Sequence, residues 1–212
     1  PTDPAEIGLK WAGYVDTRKP FELTPLDIFK TATTDIKGNP LDIDRLILGK
    51  APLSDIGKKN FLGIQAQLWS ETLRGPDKLE YMAFPKLLGL AERAWAAAPG
   101  WIEIENREIR FEALEKDWNI FANMLGQREL SRLDYLYGGV NYRIPLPGAI
   151  IENGQLKANV RFPGLIVRFS TDGSEPDVNS EEYTGPVEVT GQFKLKTFNL
   201  KGRSSRTSTI GE

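Results

Sequence analysis

Residues 63–75 read GIQAQLWSETLRG. If this run is a strand, alternate side chains share a face. Ile64, Ala66 and Leu68 then make a small apolar face, and Gln65, Gln67, Trp69 and Glu71 make the other. A strand that is apolar outward and polar inward, followed by a loop and a long helix, fits one unit of a (β/α)8 barrel. There helices cover the outside and the C-terminal strand ends open into the active site. Trp69 and Glu71 would project the same way from that end. A flat indole beside a carboxylate suits a sugar, because the ring packs on C–H groups and the carboxylate accepts hydrogen bonds from hydroxyls. Plainer readings stand beside this one. A Trp at a strand end is most often core, a Glu two residues on is most often solvated, and periodicity alone also permits a helix over residues 62–73.

Downstream, GPDKLEYMAFPKLLGLAERAW predicts a helix. Pro76 at its first position and Asp77 in its first turn are start signals. Leu79, Met82, Leu87, Leu90, Ala91 and Ala94 give it a broad apolar face. Pro85 should kink or restart it, and AAAPG should end it before Trp101. A second helix is expected over residues 104–125, with Phe111, Leu114, Trp118, Phe121 and Leu125 at helical spacing and Gly126 as its stop. Asn106 or Glu105 stands near its cap. Upstream, residues 1–60 are loop-rich, with Pro4, Pro20, Pro25, Pro40 and Pro52. A short helix is expected around residues 41–48, entered at Asp42 or Asp44.

The pattern changes at LYGGVNYRIPLPG, where glycines and prolines interrupt any helix. Beyond it GQLKANVRF, GLIVRFS, EEYTGPVEV, QFKLKTFNL and SSRTSTI are strand candidates punctuated by turn signals. About seven strands in ~75 residues predict a small antiparallel sandwich of the immunoglobulin type. The expected division is therefore 1–137, which mixes loops, one strand and long helices, and 138–212, an immunoglobulin-like β-sandwich.

Composition excludes several functions. The 212 residues carry a net charge of −2, without the basic excess that neutralises phosphates, so nucleic acid is not an expected partner. No run of ~18 apolar residues predicts a membrane span, and PTDPAEIGLKW lacks the form of a signal peptide. The chain has no Cys and no His. That removes disulfides, Cys–His and Ser–His–Asp machinery and the common zinc sites. Chemistry would have to use carboxylates, Lys, Tyr or hydroxyls. No cofactor is expected. Asp172, Glu175 and Asp177 lack an EF-hand pattern and read as an ordinary Asp-Gly turn rather than a metal site.

GIQAQLWSETLRG followed by EYMAFPKLLGLAERAW resembles the end of the catalytic barrel of family 20 β-N-acetylhexosaminidases of the bacterial chitobiase type. WAGYVDTRKPFEL, at residues 11–23, is similar to a loop of that family. FANMLGQRELSRLDYLYGGVNYRIPLPG is similar to its junction with a C-terminal domain, and GLIVRFSTDGSEPDVNSEEYTGPVEV to that immunoglobulin-like domain. The resemblance implies an exo-acting glycosidase that removes terminal GlcNAc from chitobiose and chitooligosaccharides with retention, using the substrate's own acetamido oxygen as nucleophile. It implies a periplasmic, outer-membrane-associated or extracellular location. It also implies substrate-binding roles for three residues: Trp69 packing on the terminal sugar, Glu71 binding hydroxyls on the side of the ring away from the cleaved bond, and Trp11 stacking on the next sugar. Lys10 stands where the family commonly has an aromatic residue.

The family's acid lies in a His-x-Gly-Gly-Asp-Glu type motif. This chain has no His and no adjacent Asp-Glu, so no catalytic residue is assigned to it. The expectation is a C-terminal fragment of a longer enzyme, inactive alone, whose partners are an N-acetylglucosamine oligosaccharide and either the N-terminal part or another copy of itself. The alternative is a non-catalytic carbohydrate-binding or structural accessory domain. Tyr14, Asp16 and Arg18 are expected to hold their loop, in part through an Asp–Arg pair. Trp95, Trp101 and Trp118 are expected in packing. The sandwich shows no row of Trp or Tyr for stacking on a polysaccharide, which favours a scaffold role.

Overall fold

A computed structural model describes residues 15–35, 38–69, 73–189 and 191–211. The chain divides into two compact units, Pro1–Trp118 and Asn119–Glu212.

The first unit is helical. After α1 (Arg18–Phe21) and a 3-10 turn (Ile28–Lys30), α2 (Ile43–Ile47) starts where the Asp42 side chain accepts the Arg45 N–H. In α3 (Asp55–Lys59) the Ser54 hydroxyl accepts the Gly57 N–H. Both are N-caps that satisfy otherwise orphaned amides. α4 (Pro76–Ala83) starts as the sequence predicts, with Gly75 at φ +79° and Pro76 in the first turn. Pro85 follows a cis Phe84–Pro85 bond and separates α4 from α5 (Lys86–Trp95). A 3-10 turn (Gly100–Glu103) leads to α6 (Arg107–Met124). This helix begins later than residue 104 because the Asn106 side chain accepts the Ile109 N–H at 3.1 Å and caps it there.

α1 packs on α5 at Gly89, where a Cβ would stand 2.6 Å from the Thr17 carbonyl oxygen. Phe21 lies edge-on to Trp118, ring centroids 5.4 Å apart. Trp101 is buried and its indole N–H donates to Asp117 at 2.8 Å. Arg110 is buried too, and donates to the carbonyls of Lys30, Ile104 and Glu105, tying the loop after α1 to the start of α6.

The helical path does not stop at Gly126 as the sequence suggests. It continues through a π-helical turn (Leu125–Glu129) into α7 (Leu130–Leu133) and a 3-10 turn (Leu136–Gly138). Among the described residues of the second unit seven strands follow. β1 (Gly148–Glu152), β2 (Gln155–Asn159) and β5 (Val187–Glu188) form one antiparallel sheet in the order β1-β2-β5. β3 (Ile166–Ser170), β4 (Glu181–Glu182), β6 (Phe193–Phe198) and β7 (Ser208–Ile210) form the other, in the order β4-β3-β6-β7. Leu156 from the first sheet joins Val167, Phe169, Phe193 and Leu195 from the second in one buried cluster, which makes the unit a β-sandwich. β3 buries alternate residues, as a strand with one face in the core should.

The expected strand in the opening stretch is corrected. Residues 61–69 form neither strand nor helix. A strand is defined by a neighbour that completes its ladder, and the first unit's described residues offer an isolated Thr34–Pro40 bridge but no strand.

Candidate functional site

Trp69 closes the described part of the opening stretch with 76% of its surface exposed. Gln65 and Gln67 are exposed as well, while Ile64 and Leu68 are half-buried. The polar and aromatic side chains of that alternation therefore reach solvent even without a strand ladder, although Ala66 does too. Glu71 and Trp11 lie outside the described residues, so the structure places Trp69 alone of the three residues expected to bind substrate. The exposed indole is accessible to a ligand, and the C–H face of a pyranose is the kind of surface that packs on such a ring.

Tyr14 lies outside the described residues; Asp16 and Arg18 do hold the loop before α1, with different partners from those expected. The Asp16 carboxylate accepts the Arg18 backbone N–H at 2.9 Å. The Arg18 guanidinium reaches Glu22 at 3.1 Å and Glu115 at 2.7 Å. These contacts fix the start of α1, which Gly89 holds against α5.

Of the tryptophans expected in packing, Trp101 and Trp118 are buried, but Trp95 is 88% exposed. Trp95 stands eight residues, just over two turns, after Leu87 on α5, and Leu87 is exposed too. The apolar stripe that periodicity finds on α5 is real, and part of it has no cover among the described residues. Sequence reading passed over Arg93. Its guanidinium lies 5.6 Å from the ring centroids of both Phe21 and Trp101, and its buried Nε has no hydrogen-bond partner among the described residues. Burial pushes its pKa below the usual arginine value, opposed by the carboxylates of Glu92 and Asp117. The available signal was its spacing of one helical turn from Gly89, which puts both on the face toward α1.

Among the described residues no group of three or more acidic side chains could hold a metal ion, and no helix is long and apolar enough to cross a membrane. Asp172 and Asp177 instead bond to their own turns. Asp172 accepts from the Ser174 N–H and hydroxyl, and Asp177 accepts from the N–H groups of Asn179 and Ser180. These bonds hold both carboxyls below their ordinary pKa.

Comparison with known proteins adds to this geometry. Residues 6–98 match the glycosyl hydrolase family 20 catalytic domain, a span that contains Trp11, Trp69 and Glu71. Residues 129–207 match the chitobiase/beta-hexosaminidase C-terminal domain. The chain is 38% identical to N,N'-diacetylchitobiase of Vibrio harveyi over 94% of its own length and 24% of that protein's. It is 29% identical to a beta-hexosaminidase of Vibrio vulnificus over 98% of its length and 25% of the relative's. With a beta-hexosaminidase of Porphyromonas gingivalis the identity is 31% over 70% and 18%. The chain thus spans about a quarter or less of the length of these relatives.

Proposed function

Because the chain belongs to glycosyl hydrolase family 20, we propose that it is the C-terminal part of an exo-β-N-acetylhexosaminidase that releases terminal GlcNAc from chitobiose and chitooligosaccharides. In this reading residues 1–137 complete a (β/α)8 barrel built mostly by polypeptide outside this chain, and the sandwich is immunoglobulin-like. Trp69 packs on the terminal sugar. Glu71 accepts hydrogen bonds from hydroxyls of that sugar away from the cleaved bond, and Trp11 stacks on the next one. The acid and the carboxylate that orients the acetamide come from outside this chain, which has no adjacent Asp-Glu pair and no His. The reaction is retaining and substrate-assisted, as distinct from one with a protein carboxylate nucleophile.

The observation that carries the proposal is the open indole of Trp69 within the span matched by the catalytic domain. The uncovered Leu87 and Trp95 support it in a second way, since the outer helices of a barrel bury such stripes on its strands. The test is steady-state kinetics of Glu71→Gln in the full-length enzyme. Hydrogen bonds to a charged group contribute about 1.5–3 kcal/mol, so kcat/KM should fall roughly 10- to 150-fold. An unchanged kcat/KM would remove Glu71 from the site.

A further inference from the structure

Asn199 stands just past the end of β6, buried, with both amide protons and the carbonyl oxygen in hydrogen bonds. Its Nδ2 donates to Asp134 Oδ1 at 2.8 Å and to the Tyr142 hydroxyl at 3.0 Å, and its Oδ1 accepts the Arg203 N–H at 2.8 Å. Asp134, which ends α7, is buried as well. Two flanking cations reinforce the join. Lys201 Nζ donates to the Asp134 carbonyl at 2.5 Å and sits 4.0 Å from the Tyr135 ring centroid. Arg203 donates to Asn141 Oδ1 at 2.7 Å and to the Tyr142 carbonyl at 3.3 Å, with its guanidinium 4.4 Å from the Tyr142 ring centroid. Tyr142 is buried, which raises its pKa and keeps the hydroxyl protonated.

A second seat lies earlier on the helical path. In the π-helical turn a Cβ on Gly126 would stand 2.0 Å from the Pro163 carbonyl oxygen. Across from it, Gly164 has φ +105°, and a Cβ there would stand 3.0 Å from the Gly126 carbonyl oxygen. Backbone meets backbone, with glycine on both sides. The π-turn that displaces the helix at Gly126 is a local departure of the kind that accommodates a close approach.

We infer that residues 119–142 and the sandwich form one cooperative folding unit, locked by Asn199, so that the β domain is a fixed bracket for the helical arm and not a detachable module. The physical reason is the asymmetry of buried hydrogen bonds. Removing Asn199 leaves the Asp134 carboxylate buried without its donor, and that costs more than the bond contributes. The arm and the β6–β7 turn therefore lose order together.

The test is hydrogen exchange on the 212-residue chain, followed in peptides covering residues 125–137 and 193–205. Asn199→Asp sets a second carboxylate against Asp134, and exchange should rise at least tenfold in both peptides. The double variant Asp134→Asn with Asn199→Asp reverses the polarity of the pair. Asp at 199 can then accept from Asn at 134, from the Tyr142 hydroxyl and from the Arg203 N–H, so protection should return to within threefold of the parent in both peptides. Faster exchange confined to residues 193–205, with the arm as protected as before, would overturn the inference. If Asn199→Asp unfolds the unit outright, the double variant decides, and its failure to recover would overturn the inference equally.

Discussion

Gly89 lies so close to Thr17 that a Cβ at position 89 would stand 2.6 Å from the Thr17 carbonyl oxygen. Backbone cannot yield there as a side-chain end can. Gly89→Ala should therefore separate α1 from α5 and cost about 1–3 kcal/mol, the range for overpacking a close contact. Gly100→Ala is the control, since nothing lies within 4 Å of its added Cβ. Chemical denaturation followed by tryptophan emission checks both, because Trp101 and Trp118 are buried in the first unit. Equal stability of the two variants would contradict the packing described here.

Glu175 provides a pH-dependent test in the sandwich. Its carboxylate accepts from the Thr207 hydroxyl and lies 3.0 Å from each of the Lys194 and Lys196 ammonium groups. Together they lower its pKa from 4.5 to about 2, the Thr207 bond being the largest cause. The folded state thus favours the charged form. The resulting stabilisation is complete above the unfolded value and disappears as pH falls from about 4.5 toward 2. Glu175→Gln should lower the Tm of the sandwich slightly at neutral pH, and the gap from the parent should close through that window. Added salt should narrow it, since the cluster is exposed. A gap independent of pH would refute the assignment.

Leu87 and Trp95 predict how the chain behaves alone. Exposed apolar stripes drive association unless covered. The 212-residue chain should show concentration-dependent sedimentation, and Leu87→Lys with Trp95→Lys should reduce it. Monomeric behaviour at every concentration would contradict this.

Much of the local structure was legible because its causes are local. Asp42 caps α2, Pro76 opens α4 and Pro85 divides α4 from α5, each through its own backbone chemistry. The β1–β2 hairpin also carries a local signal. Glu152 pairs with Gln155, leaving Asn153 at φ +53° and Gly154 at φ +75° as a two-residue turn, and Asn-Gly is a strong short-range hairpin signal. What could not be read depends on distant partners. Gly126 looks like a helix stop until Pro163 is seen against it. Trp95 looks like core because periodicity shows that a face is apolar, not what covers it. Residues 63–69 carry a strand-like alternation, but a strand needs a neighbour that no local pattern reveals. For the site, the alternation anticipated an accessible Trp69, while Glu71 and Trp11 stand on the family likeness.

Trp69 and Trp95 are comparably exposed in this chain, but the proposed function gives only Trp69 a part in binding sugar. The most direct measurement is kcat/KM on a chitobiose-type substrate, alongside Tm, for Trp69→Ala and Trp95→Ala in the full-length enzyme. Losing the apolar contact of a large side chain, about 1.5–3 kcal/mol, should lower kcat/KM roughly 10- to 150-fold in Trp69→Ala, with Tm little changed. Trp95→Ala should lower Tm and leave kcat/KM within about twofold, the size expected of a residue that packs away from the sugar. Full activity in Trp69→Ala, or an equal loss of kcat/KM in both variants, would contradict the claim that Trp69 forms part of the sugar pocket.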